Sequence, residues 1–120
     1  TRRSRPEADI YDMPLLAPVD ELEQVVFIHD YLQLVFGDVR ISLYGATSVC
    51  GHRGSHGHEE FGFCDALVKL IGQHAIALSA EANHRLTIEF ASGETVVVLP
   101  TADTEAWEYA SSFEIIVGRD

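Results

Sequence analysis

The chain has 120 residues, 47% of them hydrophobic and 22% charged, which is the size and balance of one globular domain with an apolar core and excludes bulk disorder. Nineteen acidic against eight basic side chains give a formal net charge of −11, a field that repels nucleic-acid phosphates and anionic lipid surfaces and favours a basic partner. The longest apolar runs, VVFI and VVVL, are too short to span a bilayer.

Residues 1–18 hold three of the four prolines and show no apolar period. They read as an N-terminal arm or linker, with Ile10, Leu15 and Leu16 available to pack on a single domain over 19–120. Asp20 with Glu23 three residues on has the spacing of a capping box and predicts one helical turn. QVVFIHDYLQLVF predicts two strands with a tight corner at His29 and Asp30, and the Gly37–Asp38 pair predicts a turn into VRISLYG. There Val39, Ile41 and Leu43 alternate with Arg40, Ser42 and Tyr44, the pattern of a strand with one core face.

After the segment 50–64, Asp65 is placed to cap a short helix over ALVKLI that Gly72 ends, with Leu67, Leu70 and Ile71 on one side. HAIALSAEA, RLTIEF and TVVVLP follow as strands, turning near Asn83 and at ASGE. TVVVLP is apolar on both faces, so it is expected to be central in its sheet. WEYA and FEIIVG form a last strand pair around Ser111 and Ser112. The two halves repeat one order: Leu32, Leu34 and Phe36 match Leu86, Ile88 and Phe90, followed by a turn two residues longer in the second copy and an alternating strand. The expected fold is α+β: a mainly antiparallel sheet or incomplete barrel of seven or eight strands, built from two similar β-meanders with one short crossover helix.

The helical turn ending in LIG, the pattern L-x-I-x-F-x-x-G, the alternating strand and EAWE before IIVG resemble a small bacterial domain family of unknown function. The match runs over roughly residues 66–118. Short acidic domains of that kind are associated with toxin–immunity systems, so the resemblance implies a small β-rich immunity-like protein. It brings no catalytic residues and does not cover the His-rich segment.

That segment, CGHRGSHGHEEFGFC, holds both cysteines and three of the six histidines. Cys50, His52, His56 and His58 could offer zinc or nickel a mixed N/S set, since residues two apart on an extended chain point to the same side. Their spacing matches no common zinc finger. Gly51, Gly54 and Gly57 precede a helix, but Glu59, Glu60 and Asp65 would repel a phosphate there. No family signature of a nucleophilic cysteine surrounds Cys50 or Cys64. The favoured reading is a mobile crossover loop over 46–63, with two free thiols, as in a cytoplasmic protein.

Glu81, Glu89, Glu94, Glu108 and Glu114 could form an acidic face, with Trp107 either an anchor for a partner or a plug closing the core. Tyr44, Val35, Val97 and Ile116 fall opposite the presumed inner faces. Either the helix and the N-terminal arm cover that second face, or it is a dimer or partner surface. The leading functional expectation is a non-catalytic acidic domain, immunity- or antitoxin-like, that docks on and blocks a basic protein, with no cofactor, nucleic acid or membrane. The alternatives are a structural or homo-oligomerising domain of a larger protein, and a metal-binding protein or enzyme using the Cys/His-rich loop.

Overall fold

Two alternating stretches set the pattern for the molecule. Leu32, Leu34 and Phe36 on strand β3 (Tyr31–Phe36) stand directly opposite Leu43, Ile41 and Val39 on β4 (Val39–Leu43). All six are buried, because a period of two puts one face of each strand into the core. In this computed structural model residues 13–15, 17–52, 54–81, 85–100, 105–111 and 115–119 are described.

The remaining strands are β1 (Met13–Leu15), β2 (Gln24–Ile28), β5 (Thr47–Gly51), β6 (Gly54–Gly57), β7 (Ala75–Ala80), β8 (Leu86–Phe90), β9 (Thr95–Val98), β10 (Glu105–Ala110) and β11 (Ile115–Arg119). One helix, α1 (Phe63–Val68), lies between β6 and β7. The strands form two antiparallel sheets, ordered β2-β3-β4-β10-β11 and β1-β7-β8-β9-β5-β6. The class is therefore mostly antiparallel β with one short helix, as expected. The described strands form two sheets and no closed barrel, and they exceed the expected seven or eight.

Each sheet combines a three-strand meander from one half of the chain with a hairpin from the other half. β2-β3-β4 receive β10-β11, and β7-β8-β9 receive β5-β6. The two chain segments that change sheet pass each other side by side. Tyr44 and Gly45 donate their backbone N–H groups to the Ala106 carbonyl, and Leu99 donates to Ala46. Gly45 sits in this crossing, where a Cβ would clash with the Leu99 carbonyl oxygen, so only glycine lets the two connecting segments approach. The turn after Phe90 is longer than that after Phe36 by one residue rather than two, since Leu34 pairs with Ile41 and Ile88 with Val96.

The inner faces meet in one core that includes Leu34, Phe36, Ile41, Val49, Leu78, Ile88, Phe90, Val96, Trp107 and Tyr109. Each fully buried side chain of this size contributes about 1.5–3 kcal/mol of transfer free energy. α1 adds Phe63 and Leu67 to the core, with Leu70 just beyond it, and packs on β5 and β6. Its cap is Gly62 in a left-handed conformation (φ 93°), while the expected cap, Asp65, lies in the first turn. The capping box at 20–23 is not used: Leu22 enters the core, exchanging backbone hydrogen bonds with Gln73 and Gly72, and Glu23 donates to the Val35 carbonyl. Tertiary burial of Leu22 overrides the local helix signal. β9 is central, between β8 and β5, as its two apolar faces require.

Candidate functional site

The segment expected to be a mobile loop is largely the β5–β6 hairpin, which continues the six-stranded sheet beyond β9. Thr47 and Val49 are its buried inward pair, each 2% exposed. An edge hairpin needs only one strand with apolar residues, so the outer strand tolerates Gly, Ser and His. α1 packs against this hairpin and leaves a cleft of about 440 Å³ lined by Val49, Gly51, His52, His56, Asp65, Lys69 and Glu94 among others. The missing side chains at Gly51 and Gly54 leave its floor open. A Cβ at Gly51 would already approach the Glu94 side chain to 3.1 Å.

Polar groups around the cleft are mostly engaged with one another. Lys69 Nζ lies 3.3 Å from Asp65 Oδ2 on the helix. The Ser92 hydroxyl donates to Glu94 Oε1 at 3.0 Å within the turn after β8. The Gly57 N–H donates to Glu60 Oε1, and the Glu60 N–H returns a bond to the Gly57 carbonyl, closing the turn after β6. His58 faces Glu59 at 3.4 Å and meets the Phe63 ring edge-on.

The hairpin register divides the expected metal ligands. Cys50 pairs with Ser55 and Thr95, so it stands on the outer face of the sheet. His56 pairs with Val49 and stands on the inner face, in the cleft with His52. His58 lies beyond the hairpin, in the turn before the helix. Among the described residues no three His, Cys, Asp or Glu side chains converge to hold a metal ion. Cys50 and His56 face opposite sides of the sheet, because His56 is paired with Val49, the neighbour of Cys50 in its strand. Cys50 and Cys64 are free thiols, half-buried and exposed respectively.

Comparison with family models, curated proteins and solved structures returned no match.

The expected acidic face is likewise divided. Glu89 is exposed on the outer face of the six-stranded sheet, and Glu81 lies beyond β7, paired with Arg85 at 2.6 Å. Glu94 borders the cleft. Glu108 is on the outer face of the other sheet, where the Tyr44 hydroxyl donates to it at 3.3 Å. Glu114 lies outside the described residues. Trp107 is 1% exposed opposite Leu43, so it is a core plug and not a surface anchor. Tyr44 and Val35 lie on the outer face of the five-stranded sheet and Val97 on that of the six-stranded sheet, so they share no surface. Ile116 pairs with Tyr109 in β11. α1 covers neither outer face.

A different apolar feature stands out at the helix. Phe61 is fully exposed, and Val68 and Ile71 are 48% and 44% exposed. Cys64, also exposed, follows the spacing of one helical face with Val68 and Ile71, while Phe61 stands in the turn before the helix. Glu59, Glu60 and Asp65 are exposed as well.

Proposed function

We propose that this domain is a non-catalytic, acidic protein-binding module that docks on a basic partner and blocks it, in the manner of an immunity or antitoxin-like factor. The observation that carries this reading is Phe61: a fully exposed aromatic ring in the turn before α1, next to Glu59 and Glu60 in the chain, with Val68 and Ile71 also exposed on the helical segment that follows. Aromatic anchors ringed by polar groups carry most of the energy of protein interfaces. A net charge of −11 steers a basic partner towards such a patch. The docking surface is thus the α1 corner, not the dispersed glutamates. The resemblance of residues 66–118 to small immunity-like domains is in keeping with this role. Two free thiols are in keeping with a cytoplasmic setting. The matching order of the two sheets supports descent of the halves from one duplicated meander-and-hairpin unit.

Immobilised domain exposed to an extract of the source cell tests the proposal. It requires capture of a basic protein that high salt releases and that Phe61→Ala no longer retains. Salt-insensitive capture, or equal capture by Phe61→Ala, defeats it.

A further inference from the structure

The matching strand order makes β2 and β7 counterparts, each the first strand of a meander. In the six-stranded sheet the outer edge of β7 is covered by β1, with Met13, Pro14 and Leu15 opposite Ala80, Ser79 and Leu78. In the five-stranded sheet the corresponding edge of β2 has no strand beside it among the described residues. β2 also carries none of the usual protections of an edge strand: QVVFI contains no charge, proline or bulge. Phe27 and Ile28 are 48% and 37% exposed there, one on each face of the sheet.

We infer that β2 of a second copy of this chain pairs antiparallel with this edge, filling the place that β1 fills in the other sheet. The strand is complementary to itself about Val26. In that register Val26 meets the partner's Val26, and Val25, packed against the core, meets the partner's Phe27. Gln24 meets the partner's Ile28. Just outside the strand, Glu23 stands opposite the partner's His29, whose side chain is 96% exposed and lies 3.3 Å from its neighbour Asp30. The two-fold axis repeats each contact, and the five-stranded sheets join into one continuous sheet across the dimer. Such an edge interface is smaller than the roughly 800 Å² per partner of a standard one, so the dimer is weak and concentration-dependent. Both copies are acidic, so added salt strengthens it, opposite to the docking of a basic protein.

Sedimentation equilibrium of the full chain over a concentration series tests the inference. The wild type should show a monomer–dimer equilibrium that shifts towards dimer with salt. Val26→Lys places two ammonium groups side by side on the axis and should abolish dimerisation, while circular dichroism verifies that the variant folds. His29→Glu, at a fully exposed position, sets a new carboxylate against the partner's Glu23 twice across the axis and should weaken the dimer by roughly three- to tenfold. Adding Glu23→Lys to that variant should restore it. A chain that stays monomeric throughout the series overturns the inference, as does a dimer indifferent to Val26→Lys or not rescued by the charge exchange.

Discussion

The rings of Phe36 and Phe90 stack across the two sheets, with centroids 6.2 Å apart and planes 24° from parallel. They end the middle strands of the two meanders, β3 and β8, at matching positions, and both are 0% exposed. Truncating either to alanine removes a core ring and leaves a cavity that the rigid sheets cannot close. Each of Phe36→Ala and Phe90→Ala should cost about 3–5 kcal/mol in denaturant unfolding. The double variant should lose less than the sum, because the second truncation removes a ring whose stacking partner is already gone.

Hairpin exchange makes the halves mutually dependent. A fragment ending at Gln73 holds β5 and β6 without β9 to pair with, and a fragment from His74 holds β10 and β11 without β4. Each fragment alone should lack a stable strand signal in circular dichroism, and mixing them should recover it. A half that folds cooperatively by itself would contradict the exchanged topology.

Tyr44 ties the outer face of the five-stranded sheet together, touching Tyr31 with ring centroids 4.9 Å apart and donating to Glu108. Burial raises its hydroxyl pKa above the ordinary 10.0, and the Glu108 carboxylate adds to the rise while Ser42 opposes it. The unfolded chain therefore loses this proton at lower pH than the folded one. The stabilisation is complete below the unfolded value and is lost as pH climbs through the folded value. Stability followed by denaturant midpoints from about pH 9 to 11 should fall with rising pH. Tyr44→Phe should flatten that fall.

Alternation made much of this architecture legible. Leu32, Leu34 and Phe36, with Ile41 and Leu43, announced the first meander, and Ile88, Phe90 and Val96 announced the second. What alternation could not supply was the partner of each strand, since period two fixes faces and not neighbours. The β5–β6 hairpin is not legible in the sequence because its outer strand is Gly-Ser-His-Gly. Its only core signal is Thr47 and Val49, too short a pattern to separate from a loop. Trp107 fits an anchor as well as a plug by sequence alone, yet it shares a strand face with Tyr109 and points inward with it. Phe61 is silent in the sequence because a lone aromatic residue among glycines and glutamates carries no periodic signal.

The most direct measurement is hydrogen–deuterium exchange of the domain with and without a basic protein captured on the immobilised domain. Docking through the α1 corner predicts new protection across residues 57–72, centred on Phe61, with the outer face of the six-stranded sheet unchanged. Protection confined to the sheet faces, with the segment around Phe61 exchanging as freely as before, would contradict it.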